Sequence, residues 1–303
     1  MDSAAVAAAD RGARFWTFGA RGPLRPGDDA HKAMFSRMLL ETFNPYKPAV
    51  IAWPELEASA RARLISLPIW DIAVQTEGRA RLRMLSYART IPDPLVRQAL
   101  ELNGWEEGRH KEVLARLVAF YGIVLEPEPE YVEPKDPEWS YLVTAYGECI
   151  DSFFAFGLFE AARRSGFFPP ELVETFEPVV QEEARHILFF VNWLAWHKRR
   201  MPLWRRPWFF FRTLAVWGIL VGERLNIAKD VSSGETGSKQ DANFTLNGAE
   251  TLGKDIDTKA LMEICLAEND RRLAGYDQRL LRPTTVPRLV RLASRFLRRR
   301  RAE

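Results

Sequence analysis

The chain has 303 residues, 47% of them apolar, two cysteines and a formal net charge of +3. That length allows one large helical domain with appendages or at most two domains, and the apolar share is ample for a core. Cys149 and Cys265 lie too far apart for a disulfide scaffold, a CxxC zinc ribbon or a cysteine-ligated iron–sulfur or rubredoxin module. Seven arginines between Arg288 and Arg301 leave the remaining chain at −4, so nucleic acid is not expected as a main partner.

Along the chain, residues 1–30 are rich in Ala, Gly and Asp with little periodicity and read as mostly irregular. Short helical pieces broken by Pro48 and Pro54 follow up to Leu67, completing an N-terminal extension over 1–67. Pro68 suits the first position of a helix reaching about Arg89. Asp93 as N-cap and Pro94 at N1 open a second helix, which Gly122 closes near Tyr121. The acidic, proline-rich run 126–137 is long enough to cross the end of a bundle. A third helix spans about Ser140 to Arg164, and Pro169-Pro170 start a fourth that runs to about His197, with Pro178 as a kink. Beyond residue 200 lie an apolar stretch at Trp208–Val221, a linker over 232–243, a helix from Asp257 to about Leu273, and a basic amphipathic helix at Pro287–Arg301.

The second and fourth helices carry nearly the same phrase, Glu-Glu-Gly-Arg-His at 106–110 and Glu-Glu-Ala-Arg-His at 182–186. Glu107 with His110, and Glu183 with His186, stand at i and i+3 and so aim a carboxylate and an imidazole at one spot. Glu77 precedes the first phrase by 28 intervening residues, and Glu148 precedes the second by 33. Two such pairs plus one carboxylate from each of two other helices form the ligand set of a carboxylate-bridged two-metal centre. Glu77, Glu107, His110, Glu148, Glu183 and His186 are the expected ligands. Glu106, Arg109, Glu182 and Arg185 are the residues that would orient the imidazoles through outer hydrogen bonds. Asp151, one turn after Glu148, is the alternative on the third helix, and hairpin symmetry favours it. Glu160 falls too near the turn. His31 and His197, at a loop and a helix end, read as ordinary polar residues.

The doubled phrase with its upstream acids resembles the motif of the ferritin-like di-iron carboxylate superfamily, which includes ribonucleotide reductase small subunits, bacterial multicomponent monooxygenases and rubrerythrins. The likeness covers about residues 68–198; Glu at 106 and 182, where many members have Asp, departs from it. The resemblance implies an all-α, ferritin-like four-helix bundle over 68–200 with added N- and C-terminal helices, holding two iron ions, with manganese or a mixed Mn/Fe pair as variants. It also implies an oxidoreductase that activates O₂ to hydroxylate, desaturate or N-oxygenate a small organic, apolar substrate. Without a G-x-G-x-x-G fingerprint, electrons would come from a separate reductase or ferredoxin. A ferroxidase or rubrerythrin-like peroxidase, and a helical scaffold with a docking tail, are the alternatives. Phe153, Phe154, Phe156, Phe189, Phe190 and Trp193 are either pocket lining or core. A cytoplasmic setting is expected, peripheral to the inner face of a membrane if 208–221 and 287–301 meet lipid. The other reading of those segments is a helix packed on the bundle and a solvated terminus.

Overall fold

The computed structural model describes residues 2–233 and 257–296, with backbone alone for 225–233. Every regular element among the described residues is helical, and the one β contact is an isolated bridge between Trp16 and Tyr276. Four long helices carry the architecture: α4 (Trp70–Ala88), α5 (Pro94–Tyr121), α6 (Pro137–Ser165) and α7 (Pro170–Arg200). Their limits follow from local chemistry. The Asp93 carboxylate accepts from the Leu95 and Val96 amides at 3.1 and 3.2 Å, and Pro94 sits at N1, where its missing N–H costs nothing. Asp136 caps α6 in the same way through Trp139 N at 2.9 Å. Gly122 and Gly166, at φ 70° and 65°, close α5 and α6 in the left-handed conformation that glycine adopts without strain. α4 packs along α5 and α6 along α7, and contacts of α4 with α6 and of α5 with α7 join the two hairpins. Pro178 lies inside α7, which continues through it.

Three expectations need correction. Residues 3–14 form a helix, α1 (Ser3–Arg14), whose N-cap Asp2 accepts from Ala4 N at 2.9 Å; its alanines supply helix propensity without an apolar stripe. Helix α4 begins at Trp70 rather than at Pro68. His31 is not in a loop but inside α2 (Asp29–Glu41), buried and bonded to the Asn192 side chain at 3.0 Å. Because Asn192 Oδ1 also accepts from Leu281 N, this one amide ties α2, α7 and the C-terminal region together. His197 stacks on Trp193 and lies 3.1 Å from Glu138.

Between α2 and α4 the chain forms a short 3₁₀ turn at Lys47–Val50 and α3 (Ala58–Ser66). After α7 come α8 (Arg206–Ser233), α9 (Thr258–Leu273) and α10 (Thr285–Ser294). The linker expected at 232–243 lies outside the described residues from 234 onward, as do Leu297 and Arg298–Arg301. α9 lies on α6, where Gly157 leaves room for Cys265: a Cβ on Gly157 would sit 2.9 Å from the Cys265 Cα. Phe153, Phe156, Phe189, Phe190 and Trp193 are all in the main core, with Phe154 packed against it, so these aromatics are core rather than lining. Among the described residues, the one helix apolar and long enough to cross a membrane by composition is α6, which is mostly buried here.

The two ends of the chain are joined by Asp277, which accepts from Phe18 N at 2.9 Å and from the Arg279 guanidinium at 2.7 Å. The Arg279 hydrogen bond holds the Asp277 carboxyl down at about 2. A depressed folded value stabilises above the unfolded pKa of about 3.9 and is lost as pH falls toward the folded one. Amide exchange at Phe18 should therefore accelerate between about pH 4 and 2. Asp277→Asn should show that faster exchange already at neutral pH, and equal protection in both proteins would refute the link.

Candidate metal centre

Each long helix sends one acidic position inward at mid-length: Glu77 from α4, Glu107 from α5, Glu148 from α6 and Glu183 from α7. Ligand atoms of Glu77, Glu107, His110 and Glu183 all lie within 4.8 Å of one another, so this group could hold a metal ion. His186 completes the opposite side, with Nδ1 3.0 Å from Glu107 and 3.8 Å from Glu183. The two imidazoles face each other with centroids 5.6 Å apart. Gly78, beside Glu77, lets the crossover connection lie on α4: a Cβ there would be 2.6 Å from the Tyr131 hydroxyl.

The outer partners are crossed between the halves of the molecule. His110 Nε2 is 2.8 Å from Glu182, whose other oxygen accepts from Arg109 at 2.5 Å. His186 Nε2 is 2.8 Å from Glu106, whose other oxygen accepts from Arg185 at 2.8 Å. Nε2 of each ring points at one of these two acids, and both Nδ1 atoms face the centre. Glu106, Arg109, Glu182 and Arg185 all lie in this outer layer, and each histidine is held by the other hairpin's phrase and not its own.

Beneath the arginines lies the segment joining α2 to α3. Arg185 donates to Leu39 O at 2.5 Å and to Thr42 Oγ1 at 2.7 Å, and Arg109 donates to Asn44 O at 2.7 Å. The Arg109 guanidinium also lies between the Phe43 and Trp105 rings, 5.0 and 4.8 Å from their centroids. Sequence reading assigned 1–67 no part in the site. A polar Thr42-Phe43-Asn44-Pro45 run directly after an apolar helix was the available signal.

The inner face is electrostatically unfinished. Glu107 Oε1, Glu148 Oε1, His110 Nδ1 and His186 Nδ1 are buried and hydrogen-bonded to nothing; the 2.9 Å approach of His110 Nδ1 to Glu183 and the 3.0 Å approach of His186 Nδ1 to Glu107 lack hydrogen-bond geometry. Burial, then the charges of Glu183 and Glu77, push the Glu107 carboxyl well above its usual range. Burial, then Glu107 and Glu183, do the same to Glu148. Burial disfavours the His110 cation, yet its bond to Glu182 and the nearness of Glu183 and Glu77 raise its pKa well above normal. Burial would raise Glu183, but His110 beside it prevails and lowers it. Such a set demands positive charge at its centre, from protons or from metal.

Asp151 is not among the inward groups: it pairs with Arg224 of α8 at 2.7 Å. Glu160 is also elsewhere, bound to Arg163 and Arg164 at 2.6 Å. Glu77 and Glu183 keep 21% and 19% of their side chains accessible, so the centre is not sealed on their side. No family model matches the chain, and comparison with curated proteins and with solved structures finds no match.

Proposed function

We propose that this chain is a ferritin-like, non-haem di-iron oxidoreductase that uses O₂ to oxidise a small organic substrate, with electrons from a separate reductase. One observation carries the reading: four helices bring Glu77, Glu107, His110 and Glu183 within 4.8 Å of one another, with His186 and Glu148 beside them, and four buried ligand atoms have no partners. Hard carboxylate oxygens with one imidazole for each of two cations suit iron, and manganese as the variant. Glu77, Glu107, Glu148 and Glu183, with the two imidazoles, would hold the ions. Bound iron supplies the redox chemistry toward O₂.

The protein's own part is definite. Glu182 and Glu106 fix the imidazole protons on Nε2 and turn both Nδ1 lone pairs inward. Arg109 and Arg185 hydrogen-bond to Glu182 and Glu106 and hold them against the two imidazoles. The open flank at Glu77 and Glu183, where Ser152 Oγ lies 3.5 Å from Glu183, is the approach for O₂ and substrate.

Purified protein reconstituted with ferrous iron without oxygen should bind about two ions per chain. His110→Ala with His186→Ala should lose that loading while keeping its helicity. Glu148→Ala should lower it more than Asp151→Ala, because Asp151 is engaged by Arg224. Full loading and turnover in the double variant would defeat the metal assignment. Ferrous oxidation at full rate, with no organic substrate consumed and no reductase required, would favour a ferroxidase.

A further inference from the structure

Helix α8 is apolar on two opposite faces, of which the fold uses one. Phe209, Val216 and Leu220 are buried in the main core. Trp208, Phe210, Phe211, Leu214, Ile219 and Val221 project away from it, between 42% and 63% exposed. At 100° per residue they span about half of the helix circumference. The run from Arg206 to Val221 is roughly 24 Å long. Trp204, just before it, is 80% exposed. Soluble chains seldom leave so long a contiguous apolar surface uncovered.

Beside the N-terminal end of this face lies a block of cations: Lys198, Arg199, Arg200, Arg205 and Arg206. Residues 198–222 contain no Asp or Glu. The acids that reach the region come from α6 and are engaged: Glu138 by Arg205 and His197, Asp136 by Arg212. Lys198, Arg199 and Arg200 have no carboxylate partner among the described residues. Where cations and apolar face meet there is a cavity of about 440 Å³, with Lys198, Arg199 and Arg206 beside Met201, Phe209 and Phe210. The Lys198 ammonium lies 5.7 Å from the Phe209 ring centroid, and burial pushes its pKa down, which a bound phosphate would reverse.

We infer that the outer face of α8, with the cation block and cavity at its start, docks the protein on an anionic phospholipid bilayer. The aromatics at Trp204 and Trp208 would lie at headgroup level, the aliphatic side chains would enter the acyl boundary, and the cavity would seat a lipid phosphate among Lys198, Arg199 and Arg206. Charge selects this occupant over a second copy of the chain. A copy presenting the same surface brings five more cations and no free carboxylate, whereas an anionic leaflet neutralises all of them. The inference does not depend on the metal centre.

The test is flotation of the full-length protein with vesicles of phosphatidylcholine alone, or with about one third phosphatidylglycerol, at low and high salt. Wild type should float with the anionic vesicles and much less with the neutral ones, and salt should weaken binding. Lys198→Glu with Arg199→Glu should weaken it by about tenfold or more, since each lysine or arginine near such a surface contributes roughly a fivefold factor. Trp208→Glu with Phe211→Glu should abolish it; Phe211→Ser with Leu214→Ser serves if the first pair misfolds by circular dichroism. Failure of wild type to float, or flotation that survives the apolar substitutions, overturns the proposal. So does a wild-type dimer by light scattering that the apolar substitutions convert to monomer, with no vesicle binding, which would make the face an interface between copies.

Discussion

Arg185→Ala is expected to destabilise the apo-protein by about 3–5 kcal/mol, a large share of the 5–15 kcal/mol typical of a folded domain. Arg185 is wholly buried and joins Glu106 on α5 to Thr42 and to the last turn of α2 at Leu39. Truncation leaves the Glu106 carboxylate in the core with His186 and the more distant Arg109, at 3.7 Å, as its remaining partners, and removes the donor to the Leu39 carbonyl. A buried ion pair often contributes little as a whole, but removing one partner strands the other. The surface pair Arg116–Glu112 is more than half exposed on both sides and should cost no more than about 1 kcal/mol when broken. Arg185→Lys should fall between, since an ammonium keeps the charge but cannot reproduce the planar fork that reaches three acceptors. Denaturant unfolding with chelator present measures all three. A loss below about 1 kcal/mol for Arg185→Ala would mean that the network is solvated rather than buried.

The second large effect is stabilisation by metal itself. Cations that bind the folded chain at a thousand times their dissociation constant add about 4 kcal/mol. For a chain of this size that corresponds to roughly 10 °C in Tm. The apo site invites such a gain, since its buried carboxylates crowd one another and four of its buried ligand atoms have no hydrogen-bond partner. Ferrous or manganous ion added without oxygen should therefore raise Tm sharply, and His110→Ala with His186→Ala should remove most of the rise. Glu148→Gln separates metal from packing. It deletes a charge that Glu107 and Glu183 oppose, so the apo-protein should melt at the same temperature or higher while gaining less from metal. A Tm indifferent to metal in wild type would leave the inward acids without a role.

The four long helices were readable because their ends are written in strong local signals: Asp93-Pro94, Gly122, Gly166 and Pro170 each act through their own backbone preferences. The inward residues were readable because a helix repeats its face every three or four positions, which brought Glu107 with His110 and Glu183 with His186. Spacing could not separate Glu148 from Asp151, since one helical turn shifts both along nearly the same stripe. What separates them is Arg224, a partner 73 residues away that draws Asp151 aside. The helix at 3–14 was missed because its alanines carry propensity and no periodicity. The contribution of Leu39, Thr42 and Asn44 was missed because two of the three act through backbone carbonyls, which any residue type supplies. The outer face of α8 was ambiguous for a related reason: apolar residues all round a helix do not reveal which side the core takes.

The diagonal placement of Glu106 against His186, and of Glu182 against His110, has an evolutionary side. A hairpin of α4 and α5 alone holds Glu106 but no histidine for it to orient, and holds His110 without the acceptor that sets its tautomer. Neither half could therefore have refined a working imidazole by itself. In a double-mutant cycle, changes at positions 106 and 185 should couple strongly, as should 182 and 109. Drift in one hairpin is thereby policed by the other, and a duplicated ancestor would have been held to matching substitutions in both copies.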